Sequence, residues 1–480
     1  MSALEHARDR VRDAGGPELF ERLEHLDAQR SVAPRDAAVA APDRQATADY
    51  DVALVGGGLS IVYAPMLARL GLKTAVFERA RAGTTHREWN ASRRELSALT
   101  RAAVLSETDL EALIVARYER GFCQWFGGAR HEVTDVLDHA VDAGALLRAL
   151  RRHAEAAGVH FYDQHALRGH GAGPSAIALD FDHLGAPRRV TARLMIDARG
   201  ASSPSCTTDL LCPTVGGVVT GIDVGGGPTQ IDPKVGEILV STEDVEAGRQ
   251  HVWEAFPGRP GETTVYLFYY DRTERVGPHA LMHLYARFFD TLPRYKTGAV
   301  RLARPTFGII PGWSRLSPPP RRPSPRVVLV GDAAARQSPL TYCGFGATLR
   351  SFEGASRAIA RALFDGPAAL DRLDTVVDDT PLHAGTGALA HMIARPDGDP
   401  HALNALLDAA FGTLAAMGER PYQQLLRDEM SGADFVRFLH RTSRQFPAVY
   451  GSVFDVLGAR GVSRWGAQVA SGLLRNLGRS

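Results

Sequence analysis

The stretch Asp51-Val-Ala-Leu-Val-Gly-Gly-Gly58 decides the fold of this chain. A short apolar run that ends in a glycine turn is typical of a buried β-strand leading into a helix. The pattern predicts a strand over 51–55 and a helix from about 58 to 70. A second strand is expected over Lys73–Glu78, directly after Gly71. The chain is therefore predicted to open a parallel sheet with a strand–helix–strand unit.

The glycines of this turn and the acid that follows have the spacing of a dinucleotide-binding site. Gly56 permits the tight turn, and Gly58 lets the backbone approach a pyrophosphate at the helix N-terminus, where free N–H groups favour an anion. Glu78, at the end of the second strand, can accept hydrogen bonds from ribose hydroxyls. Two residues depart from the pattern. Ile61 occupies the third glycine position and should push the helix outward, and Pro65 favours a kink in that helix.

A second glycine turn follows the strand Arg326-Val-Val-Leu-Val-Gly-Asp332. Asp332 is well placed to bind a ribityl hydroxyl of a flavin, and Asp197-Ala-Arg-Gly200 closes a similar turn. Gly344-Phe-Gly346 then opens a long helix whose N-terminus would direct partial positive charge at the pyrimidine ring of the flavin. Together the two glycine turns predict FAD as the cofactor.

The composition excludes several classes of protein. A chain of 480 residues is long enough for two or three structural units, and 45% hydrophobic with 23% charged residues is ordinary for a globular protein. A net charge of +1 gives no global field that would recruit nucleic acid. The four cysteines form no Cys-x-x-Cys pair and the histidines show no ligand spacing, so no metal site is expected and a cytoplasmic location fits. No signal pattern and no run of about 18 apolar residues is present, which argues against a spanning helix.

The predicted elements indicate an α/β architecture in three parts. A discontinuous Rossmann-like FAD-binding domain is combined with a β-sheet substrate domain and a helical C-terminal region, after an N-terminal helical extension and linker. The expected boundaries are 1–49 for the extension and linker, 50–100, 140–215 and 325–365 for the FAD-binding domain, 101–139 and 216–324 for the substrate domain, and 366–480 for the helical region.

The block Ala333-Ala-Ala-Arg-Gln-Ser-Pro339-Leu-Thr-Tyr-Cys-Gly344-Phe-Gly346 resembles the FAD-dependent lycopene cyclases of photosynthetic bacteria, within the geranylgeranyl-reductase and aromatic-hydroxylase flavoprotein superfamily. Segments elsewhere are similar to the same family: Arg87-Glu-Trp-Asn-Ala-Ser-Arg93, Trp253-Glu-Ala-Phe-Pro257, Tyr266-Leu-Phe-Tyr-Tyr-Asp271, Leu292-Pro-Arg-Tyr295 and Asn404-Ala-Leu-Leu-Asp-Ala-Ala-Phe411. The resemblance covers nearly the whole chain. It implies FAD between a Rossmann-like domain and a β-sheet cap, and cyclisation of a long apolar polyene without net redox change. The chain departs from the family at Tyr342-Cys343, where a small, glycine-containing pair is usual.

Polyene cyclisation needs a proton donor in a dry cavity. A carboxylic acid kept protonated by burial is the natural donor, and Asp271 and Glu254 are the candidate catalytic residues. A salt-bridged or exposed carboxylate is the alternative for each. Ser92-Arg-Arg-Glu95 has the form of a capping box and predicts a helix start, from which Arg93 could reach the cofactor phosphates or the flavin edge. The expected substrate-pocket residues are Trp253, Tyr266, Phe268, Tyr342, Cys343 and Phe345.

Three functions are open from the sequence. The first is a flavin-dependent cyclase of a long apolar polyene, either a carotenoid or a polyketide-type chain. The second is an FAD-dependent monooxygenase or double-bond reductase acting on a lipophilic substrate, with NAD(P)H or ferredoxin as external reductant. The third is a flavin-free protein that binds a hydrophobic chain, favoured by Ile61 and Pro65. A helical stripe predicts either peripheral membrane contact or docking on the protein core, and it consists of Val462, Trp465, Val469, Leu473 and Leu477.

Overall fold

The computed structural model of the chain describes most of its residues. They are residues 2–30, 35–45, 47–314, 322–335, 340–341, 343–373, 384–394, 399–451, 454, 458–463, 466–467 and 470. The strands among them are β1 (Ala37–Ala38), β2 (Tyr50–Val55), β3 (Thr74–Phe77), β4 (Trp89–Ala91), β5 (Ile114–Arg117), β6 (Arg120–Gln124), β7 (Arg130–Val133), β8 (His139–Val141), β9 (His160–Tyr162), β10 (His165–Ala172), β11 (Ile177–His183), β12 (Ala186–Asp197), β13 (Leu210–Ile222), β14 (Val235–Val240), β15 (His251–Pro257), β16 (Glu262–Tyr269), β17 (Asp271–Arg272), β18 (Gly298–Gly312) and β19 (Val327–Leu329).

The α-helices of the same residues are α1 (Ala3–Arg30), α2 (Tyr63–Arg69), α3 (Arg93–Arg101), α4 (Glu107–Leu113), α5 (Ala143–Ala156), α6 (Ala280–Tyr295), α7 (Gly344–Asp365), α8 (Pro367–Arg372), α9 (Ala384–Ile393), α10 (Pro400–Met417), α11 (Glu419–Leu426) and α12 (Gly432–Gln445). Short 3-10 turns are formed by Leu59–Val62, Gly200–Ser202, Thr273–Arg275 and Gly331–Ala333.

The first sheet has a parallel core in the order β9, β3, β2, β12 and β19, which confirms the predicted parallel sheet. Its register aligns Val55 with Phe77 on one side and with Asp197 on the other, and Asp197 with Leu329. Because β2, β3, β12 and β19 run in one direction, the residues that follow them gather at one edge of the sheet. That edge is where an open α/β sheet binds its ligands.

An antiparallel extension, formed by β10, β11 and the first part of β12, continues this sheet. At its border β1 pairs with β10, because Gly169 has no side chain at the contact. A Cβ added to Gly169 would lie 2.1 Å from the carbonyl oxygen of Ala37. The stretch expected to be a linker therefore contributes a short edge strand.

The second sheet has the order β17, β13, β16, β15, β14, β6 and β7, with β18 also paired to β13. Its neighbours are antiparallel except β14 and β6. β13 straddles the expected boundary at 215 and lies wholly in this sheet. A small third sheet is formed by β4, β8 and β5. The residue boundaries of the domains stay predictions.

Two groups of helices cover the two faces of the second sheet. On the outer face, α1 packs against α6, and Leu19 and Leu23 of α1 are buried in a cluster with Leu281 and Phe288 of α6. On the inner face, α10, α11 and α12 share a core with the sheet, in which Phe411 meets Trp125 edge to face at 5.2 Å. The expected helical C-terminal region is confirmed.

None of the helices in the described ranges is long and apolar enough to cross a membrane. Of the expected C-terminal stripe only Val462 is described, since Trp465, Val469, Leu473 and Leu477 lie outside the described residues. Membrane contact at that stripe stays a prediction.

Candidate functional site

A cavity of about 390 Å³ lies between the carboxyl ends of the parallel strands and the inner face of the second sheet. Its first-sheet wall is formed by Gly58, Leu59, Ser60, Tyr63, Ala198, Gly200, Leu329, Val330, Gly331, Asp332 and Ala334. Its second-sheet wall is formed by Cys212, Thr214, Glu254, Phe256, Tyr266, Phe268, Thr306, Phe307, Gly308 and Ile310. Its sides are closed by the loop 85–90 and by the start of α7. All residues of this loop except His86 line the cavity.

The first glycine turn is sterically constrained at two positions and open at the third. Gly56 has a φ of 120°, and a Cβ there would lie 2.3 Å from the carbonyl oxygen of Ala198. A Cβ on Gly57 would lie 2.6 Å from the Cβ of Ala82, a packing role that the sequence pattern missed. A Cβ on Gly58 would meet no described residue within 4 Å, and Gly58 lines the cavity. This opening leaves room for a ligand to approach the backbone.

Glu78 lies beside this turn, as expected, but its carboxylate also supports the backbone. One oxygen accepts a hydrogen bond from the Gly57 N–H at 2.7 Å, and the other accepts one from the Ala80 N–H at 2.9 Å. A carboxylate oxygen has further lone pairs, so both can still accept ribose hydroxyls. The ribose contact stays a prediction.

The helix after the turn begins as the 3-10 turn Leu59–Val62 and continues as α2. Pro65 is the third residue of α2, in the first turn, where proline is tolerated. Instead of the expected kink at Pro65, the helix changes from 3-10 to α just before this proline. Ile61 is fully buried in the core within the 3-10 turn. The first N–H groups of this turn lack intrahelical acceptors, and no side chain of a described residue caps them.

The second glycine turn faces the cavity. Gly331 adopts a φ of 58° at the start of a 3-10 turn, and both Gly331 and Asp332 line the cavity. Asp197 differs, because its buried carboxylate accepts hydrogen bonds from Arg199 at 2.8 Å and from Ser203 at 2.7 Å and lies outside the lining. The similar turn at Asp197 is therefore held by internal partners.

The N-terminus of α7 reaches the cavity. Gly344 and Phe345 line the cavity, and Phe345 stacks on Trp89 with ring centroids 4.9 Å apart. Gly346 lies away from it, against α3, since a Cβ on Gly346 would lie 2.3 Å from Oε1 of Glu95. The expected cofactor role thus fits the position of Gly344, whereas Gly346 serves helix packing.

Glu254 is the predicted acid that the structure places in the cavity. It lies opposite Tyr266 in the β15–β16 register, and both side chains line the cavity together with Phe268. The Glu254 carboxyl forms no hydrogen bond or ion pair with any residue that the structure describes. Burial raises its pKa to about 8, so the group is protonated at neutral pH.

Asp271 and Trp253 lie elsewhere, which corrects two expectations. Asp271 is buried outside the cavity lining, with ion pairs to Arg249 at 3.1 Å and Arg275 at 3.4 Å. Trp253 precedes Glu254 in the same strand and so points to the opposite face. There it stacks on Tyr295 with centroids 4.6 Å apart.

Arg93 is a third correction. Its guanidinium turns to the surface, where it pairs with Glu107 and, at 2.6 Å, with Glu111. Cys343 lines the cavity, and burial raises the pKa of its thiol well above the ordinary value. Tyr342 lies outside the described residues, as do 336–339.

The sequence interpretation missed the part of the loop nearest the cavity. It singled out Arg93 at the end of the segment 87–93, whereas Arg87, Glu88 and Asn90 line the cavity. Burial raises the pKa of Glu88, and its carboxylate lies 3.6 Å from Arg304. The run of polar residues right after the second strand was the available signal. In the described ranges no cluster of three or more His, Cys, Asp or Glu residues could hold a metal ion.

No protein-family model matches the chain, and neither does any curated protein sequence. Solved structures do match it. A geranylgeranyl bacteriochlorophyll reductase-like protein from Thermoplasma acidophilum aligns with a TM-score of 0.62 at 17% identity, over 85% of this chain and 99% of its own. A p-nitrophenol 4-monooxygenase from Pseudomonas putida aligns with a TM-score of 0.56 at 15% identity, over 82% and 98%.

A variant of the halogenase PltM in complex with FAD aligns with a TM-score of 0.52 at 14% identity, over 83% of this chain and 96% of its own. At these identities the neighbours show the fold alone, so the resemblance to lycopene cyclases and to the wider flavoprotein superfamily stays a prediction. The chain therefore has the mixed α/β, Rossmann-type fold that these solved structures share.

Proposed function

We propose that the protein is an FAD-dependent oxidoreductase that reduces a carbon–carbon double bond of a lipophilic substrate. The fold is that of flavin enzymes with reductase-like, monooxygenase and halogenase members. The residues at the strand ends fit FAD, because Gly58 leaves open space beside uncapped N–H groups. The inner face of the second sheet supplies an apolar wall with Phe256, Phe268 and Ile310.

The groups that would hold FAD come from both glycine turns. The turn at Gly58 and the following N–H groups would bind the pyrophosphate, and Glu78 the ribose. Asp332 would bind the ribityl chain, and the α7 N-terminus at Gly344 would favour negative charge on the flavin ring. When bound and reduced, FAD supplies a hydride.

The proposal rests on the position of the Glu254 carboxyl, which lines the cavity and has no partner among the described residues. Hydrogen addition across a double bond places a hydride on one carbon and a proton on the other. The Glu254 carboxyl is uncharged at neutral pH, faces the cavity and has no internal partner in the described chain, so its proton is free for transfer. Solvent must reprotonate it, and NAD(P)H or ferredoxin must return two electrons at each turnover.

The same carboxyl favours a second candidate, the cyclase. Protonation of a polyene by Glu254, followed by ring closure and loss of a proton elsewhere, gives an isomer without net redox change. Reductase and cyclase therefore share the proton donor and differ in product mass. Oxygenation places an oxygen atom rather than a proton on the substrate, and we place it third among the flavin-dependent reactions.

Two measurements test the proposal. First, denaturation of the purified protein should release FAD. A colourless protein that cannot be reconstituted with FAD would exclude all the flavin-dependent functions and leave the flavin-free binding protein. Second, the reduced protein is incubated with isoprenoid polyenes. A product heavier by two hydrogens supports the reductase, unchanged mass selects the cyclase, and a gain of one oxygen selects the monooxygenase.

Glu254→Gln separates the donor role from cofactor binding. The amide has nearly the same shape but cannot give up a proton, so we expect bound FAD to be retained and product formation to be lost. Glu254→Asp keeps an acid and should retain part of the activity. In the wild type, kcat should fall as the pH rises above about 8, where the donor loses its proton. An active Glu254→Gln variant with an unchanged pH profile would exclude this role.

A further inference from the structure

Arg87 places a positive charge on the second-sheet side of the cavity. A Cβ added to Gly308 would lie 3.2 Å from Nη2 of Arg87, so the guanidinium lies directly over this glycine of β18. Arg87 and Gly308 both line the cavity. β18 belongs to the second sheet, whereas the turn at Gly58 belongs to the first. The guanidinium is therefore part of the wall that faces the substrate.

The charge of Arg87 has no internal counter-ion in the described chain. Its guanidinium forms no hydrogen bond or ion pair with any described residue. The adjacent Glu88 instead lies 3.6 Å from Arg304. Glu254 is uncharged at neutral pH, because burial raises its pKa to about 8. A cation that loses water in a cavity is costly unless an anion compensates it, and a ligand can supply that anion.

The other side chains of this wall are apolar or uncharged at neutral pH, the polar ones being Thr214, Glu254, Tyr266 and Thr306. Phe256, Phe268, Phe307 and Ile310 line it. A ligand that fits must therefore combine an apolar body with one negatively charged group. A guanidinium binds both carboxylate and phosphate through two parallel hydrogen bonds.

We propose that Arg87 binds the anionic group of the substrate, a carboxylate or a phosphate, so that the substrate is an amphipathic acid with an apolar chain or ring. This rests on the proposed function for the identity of the reaction, while the binding itself can be measured without turnover. Gly308 serves the same purpose, since its missing side chain leaves the space that the guanidinium occupies.

Calorimetry on the purified protein with three matched probes tests the inference: dodecanoate, dodecyl phosphate and dodecanol. The wild type should bind at least one anion tenfold or more tighter than the alcohol, and the two anions identify the head group. Arg87→Gln should remove that preference and change the affinity for dodecanol less than twofold. Gly308→Ala, which keeps the charge but displaces it, should weaken anion binding to a smaller degree.

Arg93→Gln is the matched control, because Arg93 is an arginine of the same segment that faces the surface. It should bind all three probes like the wild type. The inference fails if the wild type binds dodecanol as well as both anions, or binds none of them. It also fails if Arg87→Gln loses FAD, since Arg87 would then serve the pyrophosphate. A protein that binds the anions through Arg87 but holds no FAD would overturn the proposed function alone.

Discussion

Glu254 differs in proton affinity between the folded and the unfolded chain. Its pKa rises from an ordinary 4.5 to about 8 on burial, so the folded state holds the proton more tightly. The free energy of unfolding therefore loses a contribution as the pH rises from about 4.5 to about 8. Glu254→Gln cannot ionise, and we expect it to match the wild type in stability at pH 4 and to exceed it at pH 9.

Urea unfolding of both proteins at the two pH values measures this difference. The comparison cancels the titration of all other groups, since they are common to both chains. If the difference in the free energy of unfolding between the two proteins is the same at both pH values, the Glu254 carboxyl is hydrated and ionised in the folded protein.

The geometry of the first turn predicts different outcomes for alanine at Gly56 and at Gly58. Gly56→Ala meets both a positive φ and the carbonyl oxygen of Ala198, and should lower the free energy of unfolding by about 3 kcal/mol or more. Gly58→Ala meets no described residue within 4 Å and should lower stability much less than Gly56→Ala does. Its methyl group would instead occupy the approach to the backbone and weaken FAD retention. Thermal unfolding and flavin content of the two variants check this, and an equal loss of stability would contradict the geometry.

Local sequence patterns predicted the helices and strands correctly wherever residues close in sequence decide the structure. The capping box at Ser92 and Glu95 forms as expected, with hydrogen bonds in both directions. Strand alternation also separates Glu254 from Trp253 on opposite faces, although it does not say which face meets the cavity. That depends on where α6 packs, which is a contact between distant parts of the chain.

The corrected residues share this dependence on distant partners. Asp271 follows an aromatic strand, which suggested an apolar setting, but Arg249, in the turn before β15, forms an ion pair with it. Arg93 stands at a helix start near the cofactor motif, but Glu107 and Glu111 draw it to the surface. Most of these ion-pair partners come from tertiary packing, which local sequence patterns do not reveal.

The packing of α7 on α3 gives a prediction at the same scale. Gly346→Ala should drive its methyl group into the carboxylate of Glu95, which is buried and paired with Arg350. The resulting strain should lower the free energy of unfolding by roughly 1–3 kcal/mol. Gly344→Ala is the control, since its Cβ would lie 3.9 Å from Asp332, an ordinary contact. Chemical denaturation of both variants is the measurement, and a Gly346→Ala protein as stable as the wild type would contradict this packing.

In the whole molecule, the C-terminal region is tied to the wall of the cavity. Asn404 of α10 bonds to Ser241 at 2.8 Å and to Gln250 at 3.0 Å, both buried near the second sheet. Thr341 at the cavity donates to Asp428 at 3.0 Å, beyond α11. The sequence predicted the helical content of this region but not its position, because its apolar residues do not specify which sheet face they cover.

The shared core predicts that this region and the second sheet unfold together. Phe411 of α10 is almost fully buried against Trp125, so Phe411→Ala should cost about 3–5 kcal/mol and shift the whole thermal transition downwards. Phe364, which is 64% exposed on α7, provides a matched control, and Phe364→Ala should change stability by less than about 0.5 kcal/mol. Circular dichroism follows the helices and tryptophan fluorescence follows the sheet core. Coincident midpoints are expected in every variant, whereas helix loss at a lower temperature than the fluorescence change would show that the C-terminal region folds separately.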